Sequence, residues 1–184
     1  MNFWQTVTAW DGVTLKSLQD ALVSDTLTPV MRIITLFGEA GIFWIVAILI
    51  LLILKETRHE GFVIACSLAL CFLVCNLIIK PYVDRPRPWE TFDFILRLAP
   101  DPGDASFPSG HASNSMAAAF AMLLNLKKKW IGVLAVVLAL LISLSRLYLG
   151  MHFPTDVLAG ILIGMACATI CWLVDKCIRR NKSL

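Results

Sequence analysis

The sequence predicts an all-α membrane protein, a polytopic helix bundle with five or six spanning helices and an amphipathic N-terminal segment. Hydrophobic residues make up 58% of the 184 residues and charged residues only 16%, whereas about a quarter of a soluble domain is charged. The apolar residues are also grouped into runs separated by short polar links. Because a spanning helix needs about 20 mainly apolar residues, these runs predict membrane spans and exclude a soluble globular class.

Five apolar runs are candidate spans. The first covers 41–54 and begins as early as Pro29, with Thr28 as a candidate N-cap. The other four cover 61–79, 110–126, 130–149 and 157–174. Small residues spaced along the last run predict close packing against another helix, and these are Gly160, Gly164 and Ala168.

Residues 1–28 mix apolar side chains with charged ones, including Asp11, Lys16 and Asp20. A span here would bury several charges, each costing about 2.5–3.5 kcal/mol at the bilayer centre. An interfacial amphipathic segment is therefore the favoured interpretation. The alternative is a sixth span, and no removable signal peptide is predicted from the pattern of this region.

The basic residues predict how the chain is oriented. With five spans, the links 55–60 and 127–129 share one side of the membrane with the C-terminal tail. This side carries nine basic residues, namely Lys55, Arg58, Lys127, Lys128, Lys129, Lys176, Arg179, Arg180 and Lys182. Because positive charge marks the cytoplasmic side, the ends of the second and fourth spans and the starts of the third and fifth should face outward. The predicted location is the cytoplasmic membrane, and a functional site built from these helix ends would lie on its outer face.

Three polar clusters, 80–88, 108–111 and 145–156, fall at those outward ends. They contain three cations, Lys80, Arg87 and Arg146. Phosphoryl transfer spreads negative charge over three oxygens and needs fixed positive donors around them. Ser109 and Gly110 begin the third run, where free backbone N–H groups and the helix dipole also favour an anion. The clusters therefore predict a phosphoryl site, and the site needs neither a metal nor a cofactor.

Two histidines suit two separate roles in that chemistry. His152 is interpreted as the nucleophile, with Asp156 one turn later accepting a proton from its imidazole. His111 is interpreted as the acid that protonates the leaving alkoxide and later as the base that activates water. Arg85, Tyr82 and Tyr148 lie within the clusters, and we interpret them as secondary or interfacial residues.

The three clusters together resemble the signature of the type 2 phosphatidic acid phosphatase (PAP2) superfamily. The shared pattern is Lys, six residues, Arg-Pro; Pro-Ser-Gly-His; and Ser-Arg, five residues, His, three residues, Asp. The resemblance covers 80–156 directly, and residues 1–184 are interpreted as a single domain of this type. It implies metal-independent catalysis with His152, His111 and Asp156 as catalytic residues. It implies phosphate binding by Lys80, Arg87, Ser109, Gly110 and Arg146.

The predicted function is hydrolysis of a lipid phosphate or diphosphate, with the bilayer and its lipids as partners and no nucleic acid. The link 89–99 carries aromatic and aliphatic residues that can contact lipid chains. Candidate substrates are undecaprenyl diphosphate, ranked first because the site faces outward, phosphatidylglycerol phosphate and phosphatidic acid. A lipid phosphotransferase using the same phosphohistidine is a second hypothesis, and a non-catalytic channel or lipid transporter is a third. Oligomeric state is left open.

Overall fold

The computed structural model describes residues 3–182, and within that range the chain forms helices and no strand. Nine α-helices follow one another within these residues: α1 Phe3–Leu22, α2 Leu27–Leu36, α3 Ile42–Ile53, α4 Arg58–Phe72, α5 Lys80–Val83, α6 Pro88–Thr91, α7 Gly110–Asn125, α8 Lys129–Tyr148 and α9 Pro154–Lys182. A 3-10 turn, Glu39–Gly41, joins α2 to α3, and a π-helix, Leu73–Ile79, continues α4 into α5. The predicted all-α membrane fold is confirmed.

Four helical segments are long and apolar enough to cross a membrane, judged by length and composition. They are Leu27–Ile53, Arg58–Thr91, Lys129–Tyr148 and Pro154–Asn181. Helix α7, predicted as a fifth span, has only 16 residues, or about 24 Å at 1.5 Å per residue. A count of five or six spans is therefore not confirmed.

The first predicted span is broken in the middle. Ala40 and Gly41 have positive φ angles of 47° and 68°, which end the helical path between α2 and α3. Thr28 lies inside α2, which starts at Leu27, and its hydroxyl bonds the carbonyl of Ser24 at 2.8 Å. The predicted N-cap at Thr28 is therefore wrong, because this hydroxyl contacts the preceding turn.

Helix α7 lies at the centre of the bundle and packs against α4, α8 and α9. Its small side chains allow this, since Ala117, Ala118 and Ala119 are fully buried. On α9, a Cβ added to Gly164 would lie 2.4 Å from the carbonyl oxygen of Ser113. The predicted close approach along the small residues of α9 is confirmed. It fixes the start of α7, where one of the three polar clusters lies.

The N-terminal helix α1 packs on the end of the bundle that carries the polar clusters. Leu15 is fully buried against Ile95 and Phe153. The Gln19 side chain donates to the Leu96 carbonyl at 2.8 Å and accepts from the Leu96 N–H at 3.0 Å. Gly150 adjoins this loop with φ 69°, and a Cβ there would lie 2.1 Å from the Leu96 oxygen. The interfacial position of residues 1–28 stays a prediction.

Replacing Gly164 with alanine is expected to destabilise the protein by about 1–3 kcal/mol, since an added methyl overpacks a filled contact. Alanine otherwise favours a helix over glycine by about 0.8–1.0 kcal/mol. A loss of stability, where a gain is the ordinary result, would therefore show that the added methyl is too close to Ser113. Thermal unfolding in detergent measures it. Ala166→Leu, on the exposed face of α9, is the control and should leave the midpoint in place. A Gly164→Ala protein as stable as the wild type would contradict the packing described here.

Candidate active site

A cavity of about 650 Å³ opens where the polar clusters meet. Its wall includes six of the eight predicted site residues: Lys80, Arg87, Gly110, His111, Arg146 and His152. They come from the ends of helices that are distant in sequence, since α5 starts at Lys80, α7 at Gly110, and α8 ends two residues after Arg146. The structure therefore brings the three predicted clusters together in one place.

Two of the cations share one carboxylate, that of Asp104. Lys80 Nζ donates to Asp104 Oδ2 at 2.5 Å, and the Arg87 guanidinium pairs with Oδ1. Arg87 Nε also donates to the Asp104 carbonyl at 2.8 Å. Burial acts to raise the pKa of Asp104, but Lys80 and Arg87 outweigh it and lower the pKa below its usual value. Asp104 therefore stays ionised at neutral pH and holds both cations on the cavity wall.

Arg146, the third cation, is 5% exposed and has a free donor. Its Nη1 donates to Thr35 Oγ1 at 2.8 Å, which fixes the guanidinium against α2. Three buried side-chain atoms without a hydrogen-bond partner, among the residues described, are Arg146 Nε, His111 Nε2 and Asn114 Oδ1. All three residues line the cavity. Because buried polar groups are normally paired, these atoms point to a polar ligand that binds here.

The ring of His152 has a defined orientation. Its Nδ1 lies 2.8 Å from the backbone carbonyl of Ser106, which can only accept, so Nδ1 carries the proton. Nε2 is then the unprotonated nitrogen, and it lies 3.4 Å from Arg87 Nη1. Burial, followed by the charges of Arg146 and Arg87, holds the pKa of His152 well below its ordinary value. His152 therefore presents a neutral nitrogen lone pair beside the cations.

The predicted contact between His152 and Asp156 is not a hydrogen bond, because Nδ1 and Oδ2 are 3.9 Å apart. Asp156 Oδ2 instead accepts from Ser106 Oγ at 2.5 Å and from the Phe153 N–H at 2.9 Å. Asp156 Oδ1 accepts from Arg85 at 2.5 Å. Asp156 is thus linked to His152 through Ser106, whose carbonyl makes the contact with Nδ1 that the spacing had suggested for the carboxylate.

Ser109 is fully buried and does not line the cavity. Its hydroxyl accepts from the Ala112 N–H at 3.5 Å as the N-cap of α7, and its own N–H donates to the Asp156 carbonyl at 3.1 Å. Gly110 starts α7 on the cavity wall, as predicted. The start of α7 is thus joined to the start of α9, which sets the position of His111 relative to His152.

His111 lies on the first turn of α7 with its Nε2 3.5 Å from Glu39 Oε2. Glu39 belongs to the 3-10 turn that interrupts the first span and also lines the cavity. No role was assigned to Glu39 from the sequence. His111 is therefore the second imidazole of the cavity, and burial, followed by the charges of Arg146, Lys80 and Arg87, lowers its pKa to about 3.

Sequence reasoning missed five residues of this site: Thr35, Glu39, Asp104, Ser106 and Asn114. Asn114 could have been identified from the sequence, since it follows His111 by about one helical turn and so shares its face of the helix. Arg85, interpreted as secondary, bridges Asp11 on α1 at 2.7 Å and Asp156 at 2.5 Å. Its guanidinium also lies 4.0 Å over the ring of Phe153. Of the two tyrosines, Tyr82 is 90% exposed and Tyr148 is fully buried.

The fold and the site define a helical integral membrane protein with a cationic, two-histidine cavity at one end of its bundle. Residues 60–179 match the model of the PAP2 superfamily. The chain therefore belongs to the PAP2 superfamily, and the resemblance of its motifs is confirmed.

Several named proteins are similar to this chain. An undecaprenyl-diphosphatase of Sulfolobus acidocaldarius is 35% identical over 139 residues, 76% of this chain and 66% of the relative. A decaprenylphosphoryl-5-phosphoribose phosphatase of Mycobacterium tuberculosis is 33% identical over 162 residues, 87% of this chain and 86% of the relative. The lipid A 4'-phosphatase of Bacteroides thetaiotaomicron is 36% identical, and the match spans about half of its length, 49%.

Two solved structures share the fold. The PAP2-type phosphatidylglycerolphosphate phosphatase of Bacillus subtilis superposes with a TM-score of 0.77 at 28% identity, covering 94% of this chain and 88% of that one. LpxE of Aquifex aeolicus superposes with a TM-score of 0.75 at 23% identity, covering 86% of this chain and 92% of that one. The second likeness supports the fold alone.

Proposed function

We propose that this protein is an integral membrane phosphatase that removes the terminal phosphate of a lipid phosphate or diphosphate through a phosphohistidine at His152. The supporting observation is the cavity wall itself. It combines three cations with the neutral Nε2 side of His152 and a second imidazole, His111. A phosphoryl group has three oxygens for the cations and one phosphorus for the nucleophile.

In the first step, His152 Nε2 attacks phosphorus and the bond from phosphorus to the leaving oxygen breaks. His111 gives its proton to that oxygen, so the lipid leaves as an alcohol, or as a monophosphate when the substrate is a diphosphate. Lys80, Arg87 and Arg146 stabilise the charge on the three equatorial oxygens. The Ser106 carbonyl holds the Nδ1 proton of His152 throughout, which keeps Nε2 aimed at the cavity.

In the second step, His111 takes a proton from water, and the resulting hydroxide attacks the phosphorus of the phosphohistidine. The phosphorus–nitrogen bond breaks, His152 returns to the neutral form and inorganic phosphate leaves. His111 ends the cycle with the proton that it gave up in the first step, and since burial and the neighbouring cations lower its own pKa to about 3, this proton enters with the anionic substrate. The two steps balance without a metal ion, so the proposal includes metal independence.

A lipid substrate is supported by the surroundings of the cavity. Exposed apolar side chains surround the bundle, among them Ile33 and Leu36 of α2 and Phe94 and Leu96 of the loop after α6. Three of the similar proteins named above act, by their names, on polyprenyl or glycerol lipid phosphates. An isoprenyl diphosphate is the first candidate, and the excess of basic residues at the opposite end favours a site that faces outward.

The deciding experiment measures phosphate release by the purified protein from polyprenyl diphosphate, polyprenyl phosphate, phosphatidylglycerol phosphate and phosphatidic acid, each with and without a chelator. We expect release from at least one lipid at the same rate in both conditions. No release from any lipid phosphate would reject the proposed function. Release abolished by the chelator and restored by a metal would reject the metal-independent mechanism alone.

A further inference from the structure

A second cavity, of about 490 Å³, adjoins the first. The two share four wall residues: Glu39, Pro102, His111 and Arg146. The second cavity lies between α2 and the loop around residues 99–102. A molecule bound at the phosphoryl site can therefore extend into it past His111 and Arg146.

The positions of the two histidines indicate which part of the substrate extends into the second cavity. In phosphoryl transfer the attacking and leaving atoms lie roughly in line on opposite sides of phosphorus. His152 lines only the first cavity, whereas His111 lines both. Since His111 protonates the leaving oxygen in the proposed mechanism, the leaving group occupies the second cavity.

The second cavity carries a cation of its own, Arg32. Arg32 is on α2 three residues before Thr35, the residue that holds Arg146, and side chains at this spacing are neighbours, with Cβ atoms about 5–6 Å apart. Arg32 Nε donates to the Leu98 carbonyl at 3.0 Å, which ties the guanidinium to the loop. Its side chain is thus held one helical turn beyond the phosphoryl site, close to where the atoms next to the leaving oxygen belong.

The remaining wall of the second cavity fits the start of a lipid chain. Ile33 and Leu36 are apolar, and both are largely exposed on the outside of α2. Of the two acids on this wall, Asp101 pairs with Arg97 at 3.2 Å and accepts from the Gly103 N–H at 2.9 Å, and Glu39 lies on the side shared with the first cavity, 3.5 Å from His111 Nε2. Arg32 is therefore the cation of this wall, outside the phosphoryl site, that is placed to meet an anionic leaving group.

We propose that the second cavity binds the inner phosphate of a lipid diphosphate, with Arg32 as its ligand, and that Arg32 makes the enzyme prefer isoprenyl diphosphates to isoprenyl monophosphates. The terminal phosphate occupies the first cavity, the inner phosphate lies against Arg32 and the hydrocarbon chain leaves past Ile33 and Leu36. This inference rests on the proposed function and adds a substrate class to it.

The test compares kcat/KM for farnesyl diphosphate and farnesyl monophosphate in the wild type and in Arg32→Gln. Because a hydrogen bond to a charged group contributes about 1.5–3 kcal/mol, the ratio of diphosphate to monophosphate should fall about 10- to 100-fold. Arg32→Lys keeps the charge but loses the planar fork, so its ratio should be intermediate. Arg58→Gln is the matched control, since Arg58 is also exposed and its Nε also donates to a backbone carbonyl, that of Leu52 at 3.0 Å, outside both cavities, and its ratio should equal that of the wild type.

The outcomes separate this inference from the function on which it rests. A wild-type protein that hydrolyses both lipids, with the same ratio in Arg32→Gln, would overturn the diphosphate subsite and leave the phosphatase function standing. An equal loss on both substrates would also overturn it, because Arg32 would then act on phosphoryl transfer in general. A wild-type protein that hydrolyses neither lipid nor any other lipid phosphate would overturn the proposed function as well.

Discussion

Replacing His152 with asparagine is expected to lower phosphate release at least about 10⁴-fold, as expected when a covalent nucleophile is removed. Asparagine suits the test because its side-chain amide can still donate to the Ser106 carbonyl, which accepts from His152 Nδ1 at 2.8 Å. The substitution therefore removes the attacking nitrogen and leaves the local hydrogen bond. Initial rates of phosphate release from the best lipid in the panel measure the effect.

The matched control is His59→Asn. His59 lies outside the cavity and bonds Asp175 at 2.7 Å near the other end of the bundle, so its variant should retain activity. Quenching with alkaline detergent during turnover should trap a phosphoenzyme in the wild type that is stable to base and lost on acid treatment, and that is absent from His152→Asn. A variant with near wild-type turnover, or a phosphoenzyme that persists without His152, would remove this residue from the nucleophile role.

The part of the site that lies at helix ends could be predicted from the sequence. Lys80, His111 and Arg146 were predicted together because helix ends on one side of a bundle must meet, and the cavity contains all three. Asp104 and Ser106 could not be predicted, because they lie in a loop whose path is set by contacts with distant residues. Ser106, for example, is placed by the Arg85 carbonyl, which accepts its N–H at 2.8 Å.

The spacing of His152 and Asp156 shows why sequence distance alone was insufficient. A spacing of four residues predicts a contact when both residues lie on one helix. However, α9 starts at Pro154, so His152 lies before the helix. The carboxylate then satisfies the free N–H of Phe153 and the Ser106 hydroxyl. These donors at the start of α9 therefore occupy the Asp156 carboxylate in place of His152.

The helices themselves were largely predictable, because apolar runs in a membrane protein have few other conformations available. Helices α4, α7 and α8 begin and end within about three residues of the prediction, once the π-helix after α4 is counted. The break at Ala40 and Gly41 was not predicted, because the apolar run continues on both sides of Gly38, Glu39 and Gly41. Such a break is tolerated inside a membrane where it lines a cavity, as it does here.

Replacing Arg85 with methionine is expected to destabilise the protein by about 3–5 kcal/mol, the usual effect of removing one partner of a buried ion pair. Asp11 and Asp156 are both fully buried and both pair with Arg85. Methionine would leave two carboxylates without their cation. Thermal unfolding in detergent should show the loss. Activity of the folded fraction should fall about 10²-fold, since Asp156 positions His152 through Ser106 and small misplacements of this kind have large effects on rate.

Two variants separate this network from a general effect of removing positive charge. Arg97→Met removes an exposed pair with Asp101, which contributes about 0–1 kcal/mol, so its unfolding midpoint should stay near that of the wild type. Arg85→Lys keeps one charge but cannot reach both carboxylates with a fork, so it should fall between the wild type and Arg85→Met. An Arg85→Met protein with wild-type stability and turnover would show that α1 does not hold the catalytic end of the bundle through Asp11, and that Asp156 positions His152 without Arg85.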